Sequence, residues 1–179
     1  MSRAVFLDRD GVLIRNEIRN GRPYAITDGE PVEIIAGVKE ACASLAAAGF
    51  LLIMITNQPD VATGRTSLGF VESTNAYLAR ELGLDDVQVC LHSDEAGCEC
   101  RKPKAGMILA AAAKFNIDLP ASIMVGDRWR DIEAGKRAGC RTILIDYGYL
   151  DRQAPPSDHV AKSLLAAAEW IRGSHLKGE

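Results

Sequence analysis

Polar and apolar positions along the chain fall into blocks that switch between two periods. Ala4-Val5-Phe6-Leu7 is continuously apolar and too short for a helix, so residues 5–7 read as a buried strand. Residues 37–48 form an Ala-rich helical stretch closed by Gly49, a residue suited to a left-handed cap. A second apolar run, 50–55, reads as another buried strand. Helical spacing returns over 67–82, with Phe70, Val71, Leu78 and Leu82 on the apolar side. The pattern then predicts a strand at 87–91, a helix at 106–115, a strand at 122–125 and a helix at 131–138 capped by Gly139. A strand at 142–145 and, after Pro155-Pro156, a helix at 164–171 complete it. Strands that alternate with helices predict an α/β fold, a Rossmann-like parallel sheet with helices on both faces. Residues 15–33, rich in Gly, Pro and charge, form an excursion that reads either as a functional lid or as a plain solvated loop.

Composition narrows this picture. A chain of 179 residues suits one domain spanning 1–179, expected as a monomer. A net charge of −3 offers no basic field, which argues against nucleic acid as a partner. The apolar runs fall short of the ~18 residues a membrane span needs. The N-terminus enters strand pattern at once, which leaves no room for a signal peptide. Five cysteines are an odd count, and three of them cluster beside a histidine. That predicts a reducing, cytoplasmic setting and a metal site rather than a disulfide framework.

The candidate chemistry sits where strands end. In an open parallel sheet, ligands bind at the carboxyl edge. The first strand delivers Asp8 and Asp10 there, and the second Thr56-Asn57-Gln58. The segment after the third delivers Arg101-Lys102-Pro103, and the fourth Gly126-Asp127 with Asp131 a helical turn on. Carboxylates so close repel, so a divalent cation or a shared proton must compensate. Clustered acids suit Mg²⁺, which prefers oxygen ligands. A lysine and a threonine suit phosphoryl oxygens, and a free carboxylate can attack phosphorus.

Cys90-Leu91-His92 and Cys98-Glu99-Cys100, with five residues between His92 and Cys98, make a Cys₃His set. Such a set suits tetrahedral structural Zn²⁺ with no position left for water. The loop runs straight into Lys102, so the metal would order the backbone that presents the lysine. Cys42 and Cys140 read as small core residues, and His159 and His175 as exposed.

Phe6-Leu7-Asp8-Arg9-Asp10-Gly11, Thr56-Asn57, Lys102 and Gly126-Asp127 with Asp131, in that order after apolar strands, resemble the haloacid dehalogenase superfamily of phosphatases over about the whole chain. The resemblance implies that Asp8 is the nucleophile. It implies that Asp10 protonates the leaving oxygen and then activates water. Mg²⁺ would be bound by Asp8, by the Asp10 carbonyl and by Asp127, while Thr56 and Lys102 neutralise phosphoryl oxygens. Asp131 orients Lys102 or a water on the metal, or simply begins a helix, where an acid is favoured anyway.

The zinc loop is similar to that of one branch, which holds heptose bisphosphate 7-phosphatases and histidinol-phosphate phosphatases. Neither the interval 10–56 nor 91–102 has room for a cap domain, so the resemblance implies an open site for a small phosphate ester. The short loop interior looks like the histidinol enzymes. Ala62-Thr63-Gly64-Arg65 and Gly106-Met107-Ile108-Leu109 look like the heptose enzymes, and a heptose bisphosphate is the first expectation. Pro59-Asp60 and Arg128 depart from the branch's more usual residues. Tyr24, Asn57, Gln58, Arg101 and Arg128 are the candidate substrate contacts, the two arginines on a second phosphate. Trp129 shields the site or packs on the excursion. Two non-phosphatase classes remain as alternatives, a zinc module that binds phosphate without turnover and a zinc nucleic-acid module; a DNA 3′-phosphatase would show the same motifs but should carry more positive groove charge.

Overall fold

A computed structural model describes residues 1–175, leaving aside the side chain of His175. The chain runs β1 (Arg3–Leu7), β2 (Glu17–Arg19), β3 (Arg22–Tyr24), α1 (Val38–Ala47), β4 (Phe50–Asn57), α2 (Leu68–Leu82), β5 (Asp86–Cys90), a 3-10 turn (Asp94–Ala96), α3 (Gly106–Phe115), β6 (Ile123–Gly126), α4 (Trp129–Ala138), β7 (Arg141–Ile145), β8 (His159–Ala161) and α5 (Leu164–His175). Six strands form one sheet in the order β5-β4-β1-β6-β7-β8, and every neighbouring pair is parallel.

The middle of the sheet is buried on both faces, which is why β1, β4 and β6 are apolar runs rather than alternating. Along β1, Val5 and Leu7 join a core with Leu45 of α1, Leu78 of α2 and Ala167 of α5. Ala4 and Phe6 join the opposite core with Ile108 of α3 and Ala134 of α4. The chain leaves β1 for β4 on one side and returns to β6 on the other, so the strand order reverses at β1. A crevice opens there at the carboxyl ends.

Local chemistry sets the helix limits. Ser67 Oγ accepts the Phe70 amide (3.1 Å) and starts α2, and Gly83 ends it with φ 64°. The fourth helix begins at Trp129 rather than at the expected 131, because Asp131 Oδ2 accepts the Arg128 amide (3.0 Å). An acid that bonds back to the N-cap lies inside the first turn.

Two small strand pairings were not foreseen. The excursion is an ordered hairpin, β2 antiparallel to β3, rather than a plain loop. Its Asn20-Gly21 turn has φ 50° and 74°, the positive pair of a type I′ turn. The second is β8, which extends the sheet beside β7. His159, expected to be exposed, stacks on Trp170 at 4.5 Å. The expectation for the His175 side chain lies outside the described residues. Cys42 and Cys140 are core residues as read, and burial pushes both thiols up to about 12. No helix among the described residues is long and apolar enough to cross a membrane.

Candidate active site

Register brings the catalytic candidates together. Leu7 pairs with Met54 on one side and Val125 on the other, so the loops after β1 and β6 start almost level, while β4 runs on to Asn57 beside them. The Asp8 amide donates to the Val125 carbonyl (3.1 Å), and Asp8 is buried. The chain then turns under Asp127 at Gly11, where φ is 87° and a Cβ would lie 1.9 Å from Asp127 Oδ2. Only glycine fits that turn.

Lys102 is buried at the centre. Its Nζ lies 2.8 Å from Asp8 Oδ1 and 2.6 Å from Asp131 Oδ1, and it donates to the Ile55 carbonyl at 2.9 Å. Asn57 brackets its backbone. The Asn57 Nδ2 donates to the Lys102 carbonyl (3.0 Å) and the Lys102 amide donates to Asn57 Oδ1 (3.1 Å). Each bond contributes on the order of 1 kcal/mol net. Asn57 thus lines the cavity as expected of a substrate contact, but its amide is committed to Lys102. Asp131 both orients Lys102 and caps α4. Gly126 makes room for it, since a Cβ there would sit 2.1 Å from Asp131 Cβ.

Three acids crowd this lysine. Asp8, Asp127 and Asp131 each place an oxygen within 4.8 Å of the others. Burial, reinforced by the Asp131 charge and opposed by Lys102, pushes the Asp8 carboxyl up to about 7. Burial and the charges of Asp8 and Asp131 hold Asp127 well above the usual carboxylate range. One ammonium does not balance three carboxylates. Asp127 Oδ1 is buried without a hydrogen-bond partner, while Oδ2 accepts from Asn16 Nδ2 (3.2 Å). Asn16 also donates to the Tyr149 hydroxyl (2.9 Å). An all-oxygen set with an unsatisfied buried oxygen fits Mg²⁺.

The resemblance assigns only the backbone carbonyl of Asp10 to the metal, and its carboxylate is engaged by side chains. Arg9, completely buried, donates to it through Nε (3.0 Å) and Nη2 (3.1 Å) and through Nη1 to Asn75 Oδ1 (3.3 Å). Gln58 Nε2 donates to Asp10 Oδ2 (2.8 Å) and to Thr56 Oγ1 (2.9 Å). The expectation that Gln58 meets substrate is corrected by its burial, which removes it from the cavity wall. Thr56 is likewise fully buried at the end of β4.

The cavity over Asp8 and Asp10 measures about 70 Å³. Tyr24 of the hairpin forms part of one wall, and Arg128 and Arg130 form part of another. The hairpin tip is tied to the loop after β7, with the Leu150 amide donating to the Gly21 carbonyl (2.8 Å). Arg128 reaches the cavity as expected while its Nε donates to Asp151 (2.8 Å). Arg101 does not reach it. Its Nε donates to Asp94 Oδ1 (2.6 Å) and its Nη1 to the His92 carbonyl (3.3 Å), so the loop it belongs to captures it. Trp129 carries two guanidinium groups against its ring, Arg130 at 5.0 Å and Arg152 at 4.1 Å.

The thiol cluster is assembled as its spacing predicted. Cys100 Sγ lies 3.1 Å from Cys90 Sγ, 3.4 Å from Cys98 Sγ and 3.2 Å from His92 Nδ1, and Cys90 Sγ lies 3.7 Å from Cys98 Sγ. Zn–S bonds of about 2.3 Å in a tetrahedron put sulfurs roughly 3.8 Å apart, so small adjustments fit zinc. Burial and the neighbouring thiols raise Cys100 to about 12. Against burial, hydrogen bonds from Cys100 and the Arg101 amide bring Cys98 down to about 7.

Sequence reasoning missed Arg9, Asn16, Arg130 and Tyr149. Arg9 stood in view between the two acids of its motif. The others carry no signal, since only the fold brings Asn16 and Arg130 to the cavity and Tyr149 to Asn16.

Comparison with known proteins agrees with this geometry. A family model described as HAD-hydrolase-like matches residues 99–167. The D-glycero-beta-D-manno-heptose-1,7-bisphosphate 7-phosphatase of Pasteurella multocida is 39% identical over 97% of this chain and 98% of its own. The D-glycero-alpha-D-manno-heptose-1,7-bisphosphate 7-phosphatase of Campylobacter jejuni is 36% identical over 80% and 82%. The crystal structure of D,D-heptose 1,7-bisphosphate phosphatase from B. bronchiseptica, complexed with magnesium and phosphate, superposes with a TM-score of 0.82 at 28% identity, covering 96% of this chain and 99% of that one. Fold and site thus define a HAD-like phosphatase, a phosphoric monoester hydrolase. Within that class, the chain belongs to the heptose bisphosphate phosphatase family.

Proposed function

We propose that the chain removes the 7-phosphate of D-glycero-D-manno-heptose 1,7-bisphosphate through an aspartyl-phosphate on Asp8. The observation that carries this reading is the Lys102 ammonium, 2.8 Å from Asp8 and 2.6 Å from Asp131 in a buried acidic cluster still short of positive charge. Asp8, Asp127, Asp131 and the Asp10 backbone would hold Mg²⁺. When bound, the ion supplies the missing charge for the carboxylates and the incoming phosphoryl oxygens.

Asp8 Oδ1 accepts the Arg9 amide (2.8 Å) and the Lys102 ammonium, which leaves Oδ2 to attack. The Oδ2–P bond forms as the bond from phosphorus to the sugar oxygen breaks, and Asp10 gives that oxygen a proton. Asp10 then takes a proton from water, which attacks phosphorus and frees Asp8 and phosphate. Lys102 donates to the phosphoryl oxygens, Thr56 holds Gln58 by accepting its amide, and Arg9 and Gln58 hold Asp10 on line. Cys90, His92, Cys98 and Cys100 would hold a structural Zn²⁺ that fixes the loop leading to Lys102. The free thiols suit the cytoplasm. Tyr24 and Arg128 line the cavity beside Asp8 and Asp10, where the rest of the ester would lie against them.

The test compares kcat/KM for both anomers of the heptose bisphosphate, histidinol phosphate and a 3′-phosphorylated oligonucleotide, with Mg²⁺. The bisphosphate is expected to lead by at least about tenfold, and Asp8→Asn to lose about 10⁴-fold or more in kcat. Preference for histidinol phosphate or the oligonucleotide overturns the substrate. Full turnover by Asp8→Asn overturns the nucleophile.

A further inference from the structure

A carboxylate can offer a cation either of its two oxygens, and what holds one of them decides which is offered. Among the three acids of the catalytic cluster, Asp127 is held differently from the other two. Lys102 pairs with Asp8 and Asp131, whereas the partners of Asp127 are two neutral groups. Asn16 Nδ2 donates one hydrogen to Asp127 Oδ2 (3.2 Å) and the other to the Tyr149 hydroxyl (2.9 Å). The Tyr149 hydroxyl also acts on Asp127 directly, favouring its ionised form against burial. Asp127 Oδ1 is left buried with no hydrogen-bond partner. Neutral donors orient a carboxylate without supplying the positive charge that would compete with a cation.

The backbone around this contact is pinned on every side. Asn16 follows Arg15, whose amide donates to the Glu33 carbonyl (2.9 Å), and it precedes β2. Tyr149 precedes Leu150, whose amide is bonded to Gly21 at the hairpin tip, and its ring lies 5.5 Å from that of Tyr147. Gly11 leaves room beneath the pair, since a Cβ there would lie 1.9 Å from Asp127 Oδ2 and 2.9 Å from Asn16 Nδ2. The excursion thus gives Tyr24 to the cavity wall and Asn16 to the acid. Side chains anchored in this way need little further ordering when an ion binds.

We propose that Asn16 and Tyr149 are positioning residues for the hydrolysis, which fix Asp127 by one oxygen and so present the other, Oδ1, to Mg²⁺. This inference rests on the reading above that Asp127 holds the ion.

The experiment measures Mg²⁺ binding by isothermal titration calorimetry for wild type, Asn16→Leu, Tyr149→Phe and Asp127→Asn. Zinc content, the Tm of the Mg²⁺-free protein and kcat against Mg²⁺ concentration are followed alongside. Asn16→Leu is expected to weaken Mg²⁺ binding by about 10- to 100-fold and Tyr149→Phe by about tenfold. Zinc content and Tm are expected to stay at the wild-type values, and saturating Mg²⁺ should bring kcat of both variants back toward wild type. Unchanged affinity in either variant overturns the assignment of that residue and leaves Asp127 as a ligand. Weaker binding that comes with lost zinc or a lowered Tm also overturns it, because the pair would then support the fold rather than the acid. Wild-type Mg²⁺ affinity in Asp127→Asn overturns the reading of Asp127 itself.

Discussion

The acidic cluster around Lys102 and the thiol cluster beside it solve one problem in opposite ways. Both gather groups that repel when ionised. In the thiol set, Cys90, His92, Cys98 and Cys100 lie 3.1 to 3.7 Å apart in the contacts that link them, and four ligands complete a tetrahedron. Nothing is left over for chemistry. In the acidic set a built-in ammonium supplies part of the missing charge and Asp127 Oδ1 stays unsatisfied. The first arrangement is closed and ends in stability. The second is left incomplete and ends in reactivity. Lys102 joins them, because its backbone follows the thiol loop and its side chain enters the acidic one.

The sharpest separation comes from Lys102→Met. Without the ammonium, Asp8 and Asp131 face each other uncompensated, and kcat should fall on the order of 10²- to 10³-fold. Zinc content, read by atomic emission, should not change. Loss of zinc in that variant would mean that the two clusters depend on each other in both directions.

A smaller effect is expected from the other side. Stripping zinc by a strong chelator, followed by dialysis into Mg²⁺, should lower kcat by about 10- to 100-fold as the Lys102 loop loosens. Mg²⁺ affinity, followed by calorimetry, should change little, since the acids sit on strand ends. Full activity in protein verified as zinc-free would break the link.

The smallest signal concerns stability. In metal-free protein the folded Asp8 carboxyl titrates near 7, against 3.8 for the free group. Between those values the folded state holds a proton that the unfolded chain has released, so stability falls as pH rises. Asp127 acts in the same direction. Mg²⁺ favours the ionised forms. Scanning fluorimetry should therefore show Mg²⁺ raising Tm by a few degrees at about pH 8 and by less at about pH 5. An equal shift at both would place the ion away from these acids.

Much of this was legible before any coordinates. Apolar runs mark the four inner strands, β4, β1, β6 and β7, because a parallel sheet covered on both faces must be apolar where it is buried. Each motif after such a run falls at one edge, so Asp8, Lys102, Asp127 and the thiols meet where expected. Side-chain commitments were not legible. Gln58 is sealed beneath Asp10, and Arg101 turns back onto its own loop through Asp94. Identity and spacing do not reveal which partner a long side chain takes. The hairpin strands Glu17–Arg19 and Arg22–Tyr24 are too short and polar for periodicity. Their Asn20-Gly21 turn was a usable signal that alternation alone overlooks.

Between its two acids, the first motif carries a residue that in one dimension passes for a spacer. Arg9 is instead a buried charge with an obligate partner on α2, since Asn75 accepts its third bond. An apolar residue there would take from Asn75 the donor it accepts and leave Asp10 with Gln58 alone. Positions 9 and 75 should therefore drift together in evolution. Anyone who transplants this acid pair to another scaffold must carry the arginine and its distant amide along with it.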